Sequence, residues 1–332
     1  QGALRERNFM NFDPSKLSTI NISEKGRKIR LQKLETGEND WQVLESNGES
    51  EIQPYRADPA IMDSLLKNLS TLRASGFTAD APTASDNENY GFNNPRRVVT
   101  LSFAVGDPLT LMLAHPEGRE DVLYAKTNLA DFIFEVERYT TLRMIPLDTH
   151  YYRNRLLDML PSAARISALK LTNLEKNEAI FDYKIGQENM GWNDLIEEFD
   201  TEHGDQIHVL LDAVRKFEVK SYLIDSYTEA YPVDEENSLP WIFQLSATIQ
   251  LPGGETDRTE TREYVLTERL SGTVQVAGSK QYDTIFEIPQ PLIEALYELT
   301  DEMEIPPEMA EEPVLEPKPI EPVPAPAQIN TP

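Results

Sequence analysis

The chain has no cysteine among its 332 residues. That excludes thiol catalysis, cysteine-ligated zinc and disulfides. The absence fits an extracytoplasmic place in a bacterium, where stray thiols oxidise, although many cytosolic proteins lack cysteine too. Histidine is scarce as well, with four residues: His115, His150, His203 and His208. His203 and His208 are five positions apart, whereas a helical metal pair needs three or four. Basic residues are few, 31 against 57 acidic ones, for a net charge of −26. The last 32 residues hold eight acids and one base, which leaves −19 on residues 1–300. So negative a surface repels phosphate backbones and anionic headgroups, so nucleic acid is not an expected partner and the body is not expected to dock on lipid. No apolar run approaches the roughly 18 residues of a membrane span. Gln1 to Asn11 are polar and mixed, unlike a signal peptide: either none existed or the chain begins after one was removed.

What is present is a pattern written twice. Pro95 opens the strand-like run Arg96-Arg97-Val98-Val99-Thr100-Leu101-Ser102-Phe103, and Pro240 opens Trp241-Ile242-Phe243-Gln244-Leu245-Ser246-Ala247-Thr248-Ile249, 145 positions later. A helical stripe precedes each at the same offset. Met62, Leu65, Leu66, Leu69 and Leu72 match Ile207, Leu210, Leu211, Val214 and Phe217. Ile20 and Ile22 have counterparts in Leu169 and Leu171, and Trp41 in Trp192. Such self-similarity is the mark of a repeated structural unit.

Each copy reads as three strands, a helix and four strands with a trailing helix. Leu17 to Ile22 and Arg27 to Leu34 alternate apolar and polar residues around Lys25-Gly26, and Trp41-Gln42-Val43 is a third short strand. Asp58 caps a helix with Pro59 at its first position, and Gly76 is expected to end it. Ala79 to Asn94 is a polar loop. Strands follow at 97–105, 109–114, 122–126 and 131–137, and Tyr151 to Leu160 is the first trailing helix, stopped by Pro161. In the second copy strands are expected at 166–172, 178–185, 241–251, 261–271, 273–277 and 282–288. Its helices are expected at 205–217 and 290–300. A longer turn at Pro252-Gly253-Gly254 accounts for the drift of the offset.

The expected fold is therefore α+β: two tandem repeats of an antiparallel sheet with a helix packed on one face. Residues 1–16 form an N-terminal segment, 17–161 the first repeat and 162–302 the second. Residues 303–332, where proline alternates with glutamate and alanine, are expected to form a disordered, acidic proline-rich tail without the means to bury a core.

Catalytic patterns are fragmentary. Asp86-Asn87-Glu88-Asn89-Tyr90-Gly91 begins like a calcium loop, but Arg97 stands where the bidentate acid belongs. Ser64-Leu65-Leu66-Lys67, Ser85-Asp86-Asn87 and Lys126-Thr127-Asn128 mimic the three elements of a penicillin-recognising enzyme. The third lacks its glycine, and the first two stand too close in sequence to flank a cleft. No Gly-x-Ser-x-Gly elbow, phosphate loop or dinucleotide fingerprint occurs. No cofactor and no enzymatic activity is expected. One cluster stands out in so acidic a chain: Arg138 and Tyr139, then Tyr151, Tyr152, Arg153 and Arg155, beside His150 and Asn154. These cations sit just before the second copy. They read as a hinge salt-bridged to nearby acids between the repeats, or as a partner or anionic-ligand site.

The order Phe12-Asp13-Pro14 with Leu17, Ile20 and Ile22, then Ile29, Leu31 and Lys33, then Trp41 and Val43, resembles the family called domain of unknown function 4340. So do Asp58-Pro59 with Met62, Leu65, Leu66 and Leu69, then Tyr90-Gly91-Phe92 with Pro95, and Tyr151-Tyr152-Arg153-Asn154-Arg155-Leu156-Leu157. The likeness spans most of residues 9–300. It implies a non-enzymatic, extracytoplasmic accessory or scaffold subunit of an ABC-type export complex. Such a subunit is held at the inner membrane by an anchor not present in this chain, and its partners are transporter proteins. The alternative is a module binding a polysaccharide or other export substrate in the cleft between repeats.

Overall fold

Alternating side chains build the first sheet. The computed structural model describes residues 7–37, 40–46, 54–186, 191–199, 202–252 and 258–300. β1 (Leu17–Glu24) buries Leu17, Ile20 and Ile22, and β2 (Arg27–Lys33) buries Ile29 and Leu31. β3 (Trp41–Ser46) and β4 (Tyr55–Arg56) extend that edge. α1 (Pro59–Ser70) starts at Asp58, whose carboxylate accepts from the Ala60 and Ile61 amides. Its buried stripe of Met62, Leu65, Leu66 and Leu69 packs on the sheet. β5 (Gly76–Asp80) follows, so Gly76 opens a strand and the helix has already ended at Thr71. The expected polar loop holds a short helix, α2 (Ala84–Asn89), closed by a capping box between Thr83 and Asp86. β6 (Arg97–Phe103), β7 (Leu109–Ala114), β8 (Leu123–Thr127) and β9 (Phe132–Val136) complete a nine-stranded sheet of order β4-β3-β2-β1-β6-β7-β8-β9-β5.

After β9 the chain forms α3 (Arg138–Met144) and α4 (Thr149–Tyr152), then β10 (Leu156–Met159). The helix expected over 151–160 is thus not formed: its first two residues end α4, and residues 156–159 are strand. Leu156, Asp158 and Met159 pair there with Glu218, Phe217 and Lys216 further along the chain. The first trailing helix is α3, which touches α1.

The second sheet contains β11 (Arg165–Asn173) and β12 (Glu178–Lys184). α5 (Trp192–Phe199) and α6 (Gly204–Arg215) follow, then β13 (Lys216–Glu218), β14 (Ser221–Ile224) and the small hairpin β15 (Ala230–Pro232) and β16 (Ser238–Pro240). β17 (Phe243–Leu251), β18 (Arg258–Leu266), β19 (Val276–Ser279), β20 (Thr284–Glu287) and α7 (Gln290–Thr300) complete it. Its order is β12-β11-β17-β18-β19-β20-β14. This is the first sheet's order from β2 to β5, strand for strand.

The duplication extends to irregularities that no simple hydrophobic pattern would repeat. β1 bulges against β6 between Leu17 and Thr19, and β11 against β17 between Ile166 and Ala168. β5 bulges against β9 between Phe77 and Ala79, and β14 against β20 between Tyr222 and Ile224. The Ser18 hydroxyl donates to the Ser102 carbonyl at 3.1 Å, and the Ser167 hydroxyl donates to the Thr248 carbonyl at 3.2 Å. Bulges are positional features of a fold, so matched bulges mark matched strands. In each unit the helix shares a core with equivalent strand residues: α1 with Ile20 and Ile22, α6 with Leu169 and Leu171.

Two sequence equivalences change. Val99 stands opposite Ile22, and Leu245 stands opposite Leu171. Val99 therefore matches Leu245, not Gln244, and the offset grows by one residue between β14 and β17. A one-residue slip exchanges the faces of a strand, so the register settles the match. The segment carrying the extra residue folds as α2 in one unit and as the β15–β16 hairpin in the other. Trp41 and Trp192 also differ. Trp41 lies on a strand, whereas Trp192 opens α5 and donates from its indole nitrogen to the Ile166 carbonyl at 2.9 Å. Trp192, Leu195, Ile196 and Phe199 recur at helical spacing. Gly204 lets α6 begin close under this helix, for a β-carbon there would come within 2.8 Å of the Ile196 side chain.

The second unit starts earlier than Pro161 indicates. The Ala74 amide bonds the Arg7 carbonyl in the first unit, and the Val219 amide bonds the Arg155 carbonyl in the second. Arg155 thus occupies the place of Arg7, and β10 belongs to the second unit through its pairing with β13. Residues 253, 254 and 301–332, with the expected long turn and proline-rich tail, lie outside the described residues.

Candidate functional site

The junction between the units is built of paired backbone. The Asp58 amide bonds the Tyr152 carbonyl, and the Asn154 amide bonds the Arg56 carbonyl, both at 2.8 Å. One residue later the Val219 amide takes the Arg155 carbonyl at 2.9 Å, and β10 then pairs with β13. Residues 152–159 therefore leave one unit's hydrogen bonds as they enter the other's.

Arg153 is the centre of this junction. Its guanidinium lies 3.9 Å from the ring centroid of Tyr55 in β4 and 3.6 Å from that of Tyr222 in β14. One of its nitrogens donates to Asp225 at 2.7 Å, and only 12% of its side chain is exposed. The His150 ring meets the other Asp225 oxygen at 3.1 Å. A cation is thus stacked between an aromatic ring of each unit and tied to a carboxylate of the second. Guanidinium suits both tasks, being planar, permanently charged and weakly hydrated. Burial pushes the Asp225 carboxyl up, but the hydrogen bonds and charges of His150 and Arg153 outweigh it and hold the pKa below the usual carboxylate value. The hydrogen bond to Asp225 raises the His150 pKa, against the opposing effect of burial. Burial also raises the Tyr222 hydroxyl, which donates to the Asn154 carbonyl at 3.1 Å.

Of the other residues singled out in sequence, Tyr152 is fully buried and its hydroxyl donates to the Pro146 carbonyl at 2.9 Å. Tyr151 packs edge-on against it. Arg155 is exposed and joins the junction through its backbone. Arg138 stacks over the exposed ring of Tyr139 at 4.9 Å, at the start of α3. The structure thus joins Tyr152 and Arg153 in one arrangement with His150. Tyr55, Tyr222 and Asp225 were not legible as members, since nothing local distinguishes them from other tyrosines and acids.

Beside Arg153 lies an open groove of about 300 Å³, lined by Tyr55, Arg56, Arg153, Asn154, Leu156, Leu157, Tyr222 and Tyr282. Arg56 is largely exposed and stands 3.7 Å from Asp40.

The catalytic fragments do not assemble. Ser64 is on the exposed side of α1. Asn87, in α2, accepts from Lys126 at 3.0 Å on the other face of the sheet, where Tyr124 of the same strand packs with Phe92. Two fragments therefore meet, and the sheet separates them from the third. The first two do sit on separate elements, despite their proximity in sequence. The calcium-like stretch is helix, and the Asp86 carboxylate is engaged by the Thr83 amide and hydroxyl. Gly91 turns the chain out of it with φ +82, where a β-carbon would strike the His115 carbonyl oxygen. Among the described residues no three or more metal-ligating side chains cluster. No described helix is long and apolar enough to cross a membrane.

A family model described as domain of unknown function (DUF4340) matches residues 50–236, more than half of the chain. The chain belongs to this family. The matched span runs from β4 through the junction to the loop after β15, so Arg153, Tyr55, Tyr222 and Asp225 all lie inside it. No curated protein and no solved structure shows significant similarity to the chain.

Proposed function

We propose that this DUF4340 protein is a non-enzymatic accessory subunit of an ABC-type export complex, acting outside the cytoplasmic membrane as a scaffold for transporter proteins. The observation that carries the scaffold reading is the junction. Two domain-sized units are linked by continuous backbone pairing and by an arginine stacked between their tyrosines. Units that only shared a flexible linker would move independently. These present their outer surfaces in a set relation, which is what a scaffold needs in order to position partners. The transporter context rests on the family resemblance. The acidic body supports basic protein surfaces as partners over nucleic acid.

A second reading, a module binding an export polysaccharide, is favoured by the groove beside Arg153. Against it, one face of Tyr55 and one of Tyr222 already stack on the Arg153 guanidinium. Purification of the tagged protein from its native membranes, followed by protein and glycan mass spectrometry, separates the two. The scaffold reading expects an ABC-type membrane subunit at near-equal amounts. Recovery of a glycan without any membrane protein would overturn it.

A further inference from the structure

We propose that His150 is a proton-operated latch that sets how tightly the two units are held against each other. His150 lies in α4, which belongs to the first unit's end of the connector, and Asp225 follows β14 in the second. Their contact at 3.1 Å therefore crosses the junction. Protonation adds a full charge to this hydrogen bond, with the imidazole about 25% and the carboxylate 32% exposed.

The surrounding charges favour that proton. Asp148, at the N-terminus of the same helix, and Asp225 attract it, while Arg153 opposes it. Tyr55 and Tyr222, which face the cluster from β4 and β14, stay neutral in this range because burial raises both of them. The His150 pKa in the folded state lies above its ordinary value of 6.5. Its contribution is therefore complete below that value and is lost as pH rises through the shifted pKa. The Asp225 carboxyl, held below 3.8, keeps its charge until the solution is far more acidic. Between those limits the latch is closed. Above them Arg153 and the backbone still join the units, with the His150–Asp225 restraint weakened. This goes beyond the scaffold role and does not depend on which partner is bound.

The absence of cysteine makes the test direct. Spin labels placed at Val105→Cys in the first unit and Lys280→Cys in the second, both highly exposed, report the distance between units by pulsed electron paramagnetic resonance. The distance distribution is expected to be narrow at pH 5.5 and broader at pH 8. His150→Gln, with His150→Asn as a second variant, is expected to give the broader distribution at both values. Identical wild-type distributions at the two pH values would overturn the proposal. So would a pH response that survives in either variant.

Discussion

Arg153 shows how much one side chain can be asked to do in an acidic protein. Its charge is matched by Asp225, its faces by Tyr55 and Tyr222, and its position is fixed by the Ala57–Arg153 bridge. Removing it leaves a half-buried carboxylate with His150 alone and opens space between two rings. Arg153→Ala is expected to cost about 2–3 kcal/mol in urea unfolding. Arg155, equally prominent in sequence, is exposed and meets the second unit through its backbone carbonyl. Arg155→Ala should stay within about 0.5 kcal/mol of wild type in the same assay. Ser64→Ala should be as silent, and a β-lactam probe should fail to label Ser64, because its would-be partners Asn87 and Lys126 lie across the sheet. Nothing in composition could rank Arg153 above Arg155. The difference arises from partners far along the chain, Tyr222 and Asp225.

At the scale of elements, local chemistry was legible where local chemistry decides. Asp58-Pro59 marks the start of α1 because the carboxylate bonds two otherwise unpaired amides. Asp58→Ala is expected to lower stability by about 1 kcal/mol, measured by thermal unfolding. Most strands of the two large sheets follow from alternation, and α7 from its helical stripe. The short strands β4, β5 and β14 were not expected, and β18 and β19 are displaced from the 261–271 and 273–277 expected for them. The failures share a cause. Tyr151 to Leu160 carries an apolar pattern compatible with a helix, but β13 offers a pairing partner and the segment becomes β10. The copy that looked like Trp41 in sequence lies on a helix, because Leu195 and Ile196 continue its spacing as a helical face. The register of β17 was misplaced because Pro95 and Pro240 look like equivalent starts. Only pairing with β11 reveals the inserted residue.

At the scale of the molecule, the duplication was the most legible feature, and its consequence for the junction was the least. Hydrophobic periodicity reports what faces a core. It carries little about where two cores meet, since contacts there involve few residues and mixed polarity. Among the described residues, β2 is extended by β3 and β4, whereas its counterpart β12 has no strand on its outer side. The copies have thus diverged at that edge while keeping their shared bulges. On the proposed scaffold role, a partner reads the fixed angle between the two units, with Arg153 as its side-chain centre. The direct test is recovery of the ABC-type membrane subunit from native membranes by wild type and by Arg153→Ala, each shown to be folded by circular dichroism. The variant is expected to lose most of the partner while both units keep their secondary structure. Undiminished recovery by a folded Arg153→Ala, with the distance between units broadened, would contradict it.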